Sequence, residues 1–333
     1  MKTAVTQNWI AEPGARVEGD RPLDQSKVQA PGVVALPGGG YRLFYTGVGP
    51  GRPYPQGQGY ILSAVSDDGL EFRKEPGIRV GPDPNVPNRS RRTLAPTVTP
   101  LPDGRWRMYF ESRGPADRPT VICSAISSDL LGWQVEDGTR LEGIEDVGGP
   151  RYLRLTDGRG RLHVFDRASR AIVSAVTHDG LAFEWEPGPR LQGGTTEQES
   201  SGITAAEVLA PDAPGEPWVM VYSAWQDVPP GTVVPPHPSS DPGLSDADFA
   251  AASIAADMSG YRSRIFAATS SDGLSWQRAG LILEGDGYGG RDIGAVHAED
   301  MSLVRLPDGR YRMYYAACDA HGVWRVASAV SEA

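Results

Sequence analysis

Short runs of alternating hydrophobic and polar residues recur along this chain, and alternation with a period of two predicts β-strands. Two runs are nearly identical, LPDGRWRMYF at residues 101–110 and LPDGRYRMYY at residues 306–315, and weaker copies occupy residues 36–45, 155–165 and 217–222. In the clear copies Pro-Asp-Gly separates two strand patterns, which predicts a tight hairpin because Gly readily adopts a positive φ. The pattern therefore predicts five related hairpins.

A second phrase follows four of these hairpins and marks another turn. It reads SDDGLEF, SSDLLGW, THDGLAF and SSDGLSW at residues 66–72, 127–133, 177–183 and 270–276. Each unit then consists of four antiparallel strands joined by two short turns and one variable loop. Radial repetition of four-stranded sheets is a β-propeller, so the predicted fold is all-β, a five-bladed propeller with four antiparallel strands per blade.

The fifth unit ends before its outermost strand, and the start of the chain supplies a matching segment. Residues 8–17 resemble residues 72–80 and 183–191, with an aromatic residue, a Glu-Pro-Gly turn and an Arg-aliphatic tail in the same register. We expect this N-terminal strand to complete blade 5, because closing the ring removes the open edges between the first and last blades. Residues 1–333 are then predicted to form a single domain.

The longest interruption of the pattern is an insertion at residues 226–260 in blade 4. Ser245 followed by Asp248 resembles a capping box before an alanine-rich helix. Such a helix could be a lid over a pocket, a surface decoration or a contact to another subunit.

Composition excludes some partners. The formal net charge is −10, with 42 acidic residues against 32 Lys and Arg, and an acidic chain without a basic stripe argues against nucleic acid. No hydrophobic run approaches the length of a membrane span, and the first 14 residues contain no apolar signal core, so a cytoplasmic location is expected. Cys123 and Cys318 have no metal-type spacing and are expected to be free, buried thiols. The oligomeric state stays open.

The hairpin DGRYRMYY at residues 308–315 and the phrase SSDGLSW at residues 270–276 are similar to those of glycoside hydrolase family 43, within the arabinanase, invertase and levansucrase type of five-bladed propeller. The resemblance covers nearly the whole chain and lies in structural positions. It implies a carbohydrate ligand and carboxylate catalysis, with a base Asp in the first blade, a modulating Asp in the third and an acid Glu in the fourth. The usual Asp positions are not retained. The first three slots hold Ala30-Pro31, Ala95-Pro96 and Gly149-Pro150, and only the fifth, at Asp300, keeps an acid.

The long loops fall on the rim where each first strand begins, and loops on a rigid scaffold usually carry function. Candidate catalytic residues on this side are Glu207, Glu299, Asp300 and His297. Candidate substrate-binding residues are Arg91, Arg92, Glu145, Asp146, Glu111 and Trp225. Glu207 lies in an apolar run, where desolvation would raise its pKa as an acid catalyst needs; a structural pairing with a neighbouring Arg is the alternative. No cofactor is predicted, although His297 and Asp300 could hold a divalent metal.

Three functions are compatible with these residues. The first is a glycoside hydrolase-like enzyme that acts on a carbohydrate or sugar-containing small molecule by carboxylate acid–base chemistry. The second is a propeller recruited to non-hydrolytic chemistry, as a lyase, isomerase or cyclase of a small metabolite. The third is a non-catalytic module that binds a sugar or a partner.

Overall fold

A computed structural model describes residues 5–54, 57–235 and 245–332, apart from the side chains of residues 246 and 247. The described part of the chain is nearly all β, with an α-helix, α1 (Asp246–Asp257), and short 3-10 turns at Pro87–Arg89 and Glu197–Glu199. Ser245 caps α1 by accepting a hydrogen bond from the Asp248 N–H, which confirms the predicted helix in the insertion. None of the helical segments in the described ranges is long and apolar enough to cross a membrane.

The strands form five antiparallel units in the order of the chain, and each unit begins with a long strand and ends with a shorter or more exposed one. They are β1 (Trp9–Ala11), which belongs to the fifth unit; β2 (Lys27–Ala35), β3 (Tyr41–Val48), β4 (Tyr60–Ser66) and β5 (Arg73–Lys74); β6 (Arg92–Pro100), β7 (Trp106–Arg113), β8 (Val121–Ser127) and β9 (Gln134–Val135); β10 (Val147–Arg154), β11 (Gly160–Asp166), β12 (Ala171–Thr177), β13 (Glu184–Trp185) and β14 (Leu191–Gln192); β15 (Gly202–Leu209), β16 (Trp218–Gln226), β17 (Arg262–Ser270) and β18 (Gln277–Leu283); and β19 (His297–Arg305), β20 (Tyr311–Cys318) and β21 (Trp324–Ser331).

The units are arranged like the blades of a propeller around their first strands. β2 contacts β6, β6 contacts β10, β10 contacts β15, β15 contacts β19, and β19 contacts β2. Units four and five also share one parallel bridge, between Ser263 and His297. Buried hydrophobic clusters fill the space between neighbouring units, for example Met108 and Phe110 of unit two with Phe44 and Ile61 of unit one.

The N-terminal strand β1 pairs with the last strand of the fifth unit. β1 pairs antiparallel with β21, with Trp9 opposite Ser331 and Ala11 opposite Ala329. Trp9 is buried, and its indole N–H donates to the Val5 carbonyl. The two ends of the described chain are therefore held in one sheet.

A repeated arginine links four of the five units to the next. The arginine near the start of a unit's second strand pairs with a Glu in the same unit and donates to a turn carbonyl of the following unit. The four examples are Arg42 with Glu75 and Asp129, Arg107 with Glu136 and Asp179, Arg161 with Glu186 and Gly273, and Arg312 with Glu12 and Asp68. Val219 replaces the arginine in unit four. Arg312 matters most for closure, because it joins the N-terminal segment, unit five and unit one.

The recurring Asp-Gly phrase has a structural cause. In the first copy the Asp68 carboxylate accepts hydrogen bonds from the backbone N–H groups of Leu70 and Glu71, and the Ser66 hydroxyl accepts one from Gly69. The N–H of Glu71 and that of Leu70 lower the pKa of Asp68 to about 2. The same bonds recur at Asp129, Asp179 and Asp272. The phrase is therefore a turn motif that presents carbonyl groups to the arginine of the preceding unit.

Removing the link at the closure should destabilise the protein. We expect Arg312→Ala to lower the free energy of unfolding by about 3–5 kcal/mol, because it leaves the largely buried Glu12 carboxylate without its partner. Urea unfolding measures the effect. Arg310→Ala is the matched control, since Arg310 pairs with Asp308 on the exposed hairpin and an exposed pair contributes little to stability. Equal midpoints for the two variants would contradict the closure role of Arg312.

Candidate active site

The first strands of all five units carry a bulge at the same level. The pairing register shifts after Gln29 in β2, Leu94 in β6, Gly148 in β10, Ile203 in β15 and Glu299 in β19. Four bulge residues have a positive φ, namely Ala30 at 49°, Ala95 at 48°, Gly149 at 57° and Asp300 at 52°. This conformation costs about 1–2 kcal/mol for a residue with a Cβ, so the surrounding structure must impose it.

Side chains of the preceding unit hold three of these bulges. The Ala95 N–H donates to the Thr46 hydroxyl over 3.0 Å, and the Gly149 N–H donates to the Glu111 carboxylate over 3.2 Å. The Asp300 N–H donates to the Ser223 hydroxyl over 3.3 Å. Each bulge is thus bonded to the second strand of its neighbour, so its conformation depends on the packing of two units.

The bulges change which side chains can share one surface. In a regular strand, consecutive residues point to opposite faces, whereas a bulge re-aims one of them. Gln29 with Ala30, Leu94 with Ala95, and Glu299 with Asp300 consequently line one cavity of about 270 Å³. Glu111, Arg113, Asp146, Arg167 and Trp225 complete its polar and aromatic lining. Of the predicted site residues, the cavity brings together Glu111, Asp146, Trp225, Glu299 and Asp300.

Arg151, immediately after the third bulge, ties the bulges together at the centre. Its guanidinium donates to the carbonyls of Met301 at 3.1 Å, Pro150 at 2.9 Å and Pro31 at 3.1 Å, and it reaches the Asp300 carbonyl at 3.5 Å. The residue is 2 % exposed. Its Nε also lies 3.3 Å from the Glu207 carboxylate. One buried charge therefore connects units one, three, four and five.

The Arg151 pair decides where Glu207 lies. Glu207 is ion-paired with Arg151 and does not line the cavity. This is the alternative of a structural pairing with a neighbouring Arg, and not the predicted acid in the site. Burial raises the pKa of Glu207 to about 7, and the Arg151 charge opposes that rise. Glu207 can consequently influence the cavity only through Arg151.

Three carboxylic acids in the cavity have raised pKa values. Burial raises the pKa of Glu299 well above its usual range, and the neighbouring carboxylates of Asp300 and Asp257 raise it further. Burial raises the pKa of Asp300 to about 6, against the lowering effect of Arg151. Burial also raises the pKa of Glu111, opposed by Arg92 and by the bond from Gly149. Unequal environments of neighbouring acids are the arrangement from which acid–base pairs are made.

Glu299 has an unsatisfied oxygen. The residue is 6 % exposed, and its Oε2 makes no hydrogen bond to any described residue. Buried polar atoms are nearly always bonded in native proteins. Oε2 is itself buried, and the nearby Ser263 and Trp225 side chains partly offset the rise in the pKa of Glu299. An unbonded buried oxygen on a residue that lines a cavity is an exception that a bound ligand would explain.

The rim of the cavity carries charges that compensate one another. The Asp146 carboxylate accepts from the Thr120 N–H at 2.8 Å and lies 3.8 Å from Arg113 and 3.4 Å from Arg167. Burial alone would raise the pKa of Asp146, but the bond from Thr120 and the charge of Arg113 outweigh it and lower the pKa. Glu145 lies outside the cavity, exposed and 3.8 Å from Arg167.

His297 lies behind the cavity wall. It is fully buried between the rings of Trp225 at 4.8 Å and Trp324 at 5.3 Å. Its Nδ1 lies 3.1 Å from the Ser263 hydroxyl and its Nε2 lies 3.0 Å from the Asp257 carbonyl. Burial lowers the pKa of His297 to about 4, so the ring is neutral at pH 7. Because both nitrogens have protein partners, neither is open to a metal. No group of three or more metal-ligating side chains occurs in the described ranges.

Helix α1 is docked beside the cavity by its C-terminal half. Asp257 forms a buried ion pair with Lys27 and accepts from the Trp324 indole N–H at 3.2 Å. Ser253 accepts from Lys27 at 2.6 Å, and Phe249 lies under the Arg92 guanidinium at 5.5 Å. No residue of α1 lines the cavity itself. The helix therefore supports the wall formed by Lys27, Arg92 and the His297 stack.

Arg92 and Arg91 stand behind the lining. Burial lowers the pKa of Arg92 to about 10, and its charge acts on Glu111. The backbone of Arg91 bonds to Arg113 and to Gln58. Neither arginine lines the cavity, whereas Arg113 and Arg167 do. Arg113 ends β7 and Arg167 follows β11, so both lie at strand ends near Glu111, where the alternation gives no reason to prefer one residue.

Comparison with known proteins identifies the fold alone. No protein-family profile and no curated protein matches the chain. Solved structures do. A glycosyl hydrolase from Bacteroides ovatus has 11% identity and a TM-score of 0.64, with 97% of this chain and 94% of that chain covered. A thermostable family-43 glycoside hydrolase has 15% identity and a TM-score of 0.59, with 97% and 91% covered. This chain has a glycoside hydrolase-like fold.

A third similar structure comes from glycoside hydrolase family 130, a family of mannoside phosphorylases that contains glycoside hydrolases acting on β-1,2-mannosidic linkages. It has 12% identity and a TM-score of 0.68, with 98% of this chain and 94% of that chain covered. The family-43 resemblance seen in the sequence is therefore confirmed for the fold. The chemistry has to be argued from the cavity of this chain.

The raised pKa of Asp300 predicts a pH-dependent stability. An acid with a raised folded-state pKa stabilises the fold fully below its unfolded pKa, and this contribution is lost as pH rises through the folded value. The wild type should therefore lose stability relative to Asp300→Asn between about pH 4 and pH 6. The difference should reach roughly 1–3 kcal/mol, given about 1.4 kcal/mol per pKa unit. Asn also tolerates the positive φ.

Urea unfolding at several pH values measures this difference. Asp103→Asn is the control of opposite sign, because the bond from Arg105 lowers the pKa of the exposed Asp103. Its stability relative to the wild type should fall as pH rises in the range below about pH 4, and should stay constant between about pH 4 and pH 6. The free energy of unfolding of Asp300→Asn minus that of the wild type should rise with pH. If this difference stays constant or falls between about pH 4 and pH 7, the Asp300 carboxyl is not buried as described.

Proposed function

We propose that the protein is a carbohydrate-active enzyme that breaks or transfers a glycosidic bond by acid–base chemistry in the bulge-lined cavity. The observation that carries the proposal is the pair Glu299 and Asp300. These consecutive residues face one cavity, and burial raises the pKa of both to different extents. The glycoside hydrolase-like fold supports the same substrate class.

The two acids receive different roles. Glu299, whose pKa is raised by burial and by the neighbouring carboxylates of Asp300 and Asp257, is the proton donor to the oxygen of the leaving sugar. Its Oε2, which has no partner among the described residues, makes that contact. Asp300, held lower by Arg151, is the ionised partner that takes a proton from the attacking water or other hydroxyl group. The C–O bond to the leaving group breaks as the new C–O bond forms. Trp225 offers an apolar surface to the ring of the sugar.

Glu207 is a positioning residue in this proposal. Its carboxylate pairs with Arg151, and Arg151 holds the Asp300 and Met301 carbonyls. The predicted general-acid role passes to Glu299, because Glu299 lines the cavity and Glu207 does not. Arg113, Arg167 and Asp146 are assigned to substrate binding at the rim.

We also propose that the five units form one closed five-bladed propeller, with residues 1–333 as a single domain. The circle of contacts between first strands supports closure, as do the pairing of β1 with β21 and the Arg312 bonds. The insertion at residues 226–260 belongs to the fourth blade and supports the wall of the cavity through α1.

A second function is favoured by one observation. The bulges of the first and third units, where the family-43 resemblance implies acids, hold Ala30 and Gly149, and the bulge of the second unit holds Ala95, so methyl groups and backbone face the cavity there. A small cavity with acids on one side suits a lyase, isomerase or cyclase of a small sugar-derived metabolite. Turnover without release of a free sugar would favour this reading.

Variants separate these possibilities. The protein is first screened on aryl glycosides and on oligosaccharides, with and without inorganic phosphate, with sugar release and substrate loss both recorded. On the substrate found, Glu299→Gln and Asp300→Asn should each lower kcat about 10²–10⁴-fold with little change in KM. Glu145→Gln on the exposed rim is the control and should retain wild-type turnover. Full activity of Glu299→Gln would contradict the proposal.

Glu207→Gln tests the positioning role. It should lower kcat less than Glu299→Gln does. It should also move the acidic limb of the kcat/KM profile, because the pKa of Asp300 depends on the Arg151 charge. A loss as large as that of Glu299→Gln, with an unmoved pH profile, would return the acid role to Glu207.

A further inference from the structure

A second concave site lies at the opposite end of the fourth unit. A groove of about 1030 Å³ runs between the loop at residues 210–217 and the turn at residues 269–277. The loop follows the last residue of β15, whereas the cavity meets β15 near its start, at Thr204. The groove and the cavity share no lining residue.

Two tryptophans, Trp218 and Trp276, line the groove. Unit two carries tryptophans at the same repeat positions, Trp106 and Trp133, and provides an internal comparison. There the Trp133 N–H donates to the Leu130 carbonyl at 3.2 Å. The buried N–H of Trp276 has no partner in the described chain. The indole N–H of Trp276 is thus without a hydrogen-bond partner in the described chain, whereas that of its counterpart Trp133 is bonded.

The loop beside these rings is unusual for this chain. Other units turn through Pro-Asp-Gly or a similar short sequence, whereas residues 210–217 read APDAPGEP. Three prolines restrict φ at three of its eight residues, which reduces the conformational entropy that the loop would lose on binding a ligand. The extended loop is what converts an ordinary turn into one wall of a groove.

The lining selects a chemical class. Among the described residues it contains hydroxyl and amide groups, from Thr156, Ser271, Ser275 and Gln277 among others, and no Lys, Arg or His. The charged residues in this described lining are Asp212 and Glu216, which are both acidic. Anionic ligands need cationic partners, so phosphate and nucleic acid do not suit this site. Aromatic rings with nearby polar groups suit a neutral ligand that has apolar faces and hydroxyl edges, which describes a sugar.

We propose that this groove binds a neutral carbohydrate chain, apart from the catalytic cavity. Its volume is at the upper end of the ~300–1,000 Å³ of ligand sites, so it accommodates more than one sugar unit. The inference rests on the proposed function in one respect, since the bound chain would be a polymer related to the substrate. The groove would then hold the polymer on the protein while the cavity acts on another part of it.

The repeat itself supplies conservative test variants. Phe72 and Phe183 occupy the position of Trp276 in other units, and Tyr41 and Tyr311 occupy that of Trp218. Trp276→Phe and Trp218→Tyr should therefore fold. Trp133→Phe in unit two is the matched control, because it makes the same change where no groove is described.

Native gels containing soluble arabinan, xylan, mannan or β-glucan measure binding as retarded migration. The Glu299→Gln/Asp300→Asn protein is used, so that the polymer is not consumed. We expect at least one polymer to retard it. Adding Trp276→Phe and Trp218→Tyr should weaken the apparent affinity about tenfold, from one lost hydrogen bond and reduced stacking. Adding Trp133→Phe should change nothing.

Two results would contradict the proposal that the groove binds a carbohydrate chain. One is the absence of retardation by all four polymers. The other is retardation that the tryptophan changes leave intact, which would place the polymer elsewhere. The proposed function is tested by a separate measurement, the turnover of a small glycoside. The Trp276→Phe/Trp218→Tyr protein should retain this turnover, and Glu299→Gln should lose it. Failure of one proposal is therefore distinguishable from failure of the other.

Discussion

The guanidinium of Arg151 lies where the bulges of three strands meet, and the geometry of the cavity depends on it. A buried cation is costly unless hydrogen bonds and an opposite charge surround it. Here the carbonyls of Pro31, Pro150 and Met301 and the carboxylate of Glu207 meet that need. The same bonds keep the strands in their bulged form, so that Glu299 and Asp300 face the cavity together. The hydrogen bonds and the ion pair that stabilise the buried Arg151 charge therefore also fix the geometry of the cavity.

The repeated features of the fold make this arrangement possible. Buried arginines such as Arg107 and Arg312 bind the turns of the next unit, and Thr46, Glu111 and Ser223 bind the next bulge. Strained residues persist only where the surrounding structure fixes them. The outer network supplies rigidity, while the first strands carry the positive φ values and the unsatisfied Glu299 oxygen.

Much of this architecture is readable from the sequence because it repeats. The Pro-Asp-Gly hairpins, the Asp-Gly phrase and the Glu-Pro-Gly match at residues 8–17 each recur with a fixed register, and Ser245 with Asp248 marks the helix. The site is less readable. Glu299, Asp300 and Glu111 fall at strand ends that converge, so their convergence follows from topology. Arg151 follows a Gly-Pro slot and gives no sign of its partners, because all of them except Pro150 come from distant segments. Glu207 and His297 lie on first strands, as Glu299 does, but they do not line the cavity. What separates them from Glu299 is their spatial neighbours, which the alternation of a strand does not specify.

The account depends on Glu299 and Asp300 being in different protonation states near neutral pH. A carbon-13 NMR titration of their side-chain carboxyl groups in the wild-type protein measures this directly, with Glu299→Gln and Asp300→Asn assigning the two signals. We expect Asp300 to titrate near pH 6, and Glu299 to remain protonated at a higher pH than Asp300. If both groups are fully ionised at about pH 5, as exposed carboxylates are, burial beside Arg151 does not separate an acid from a base, and the proposed site is wrong.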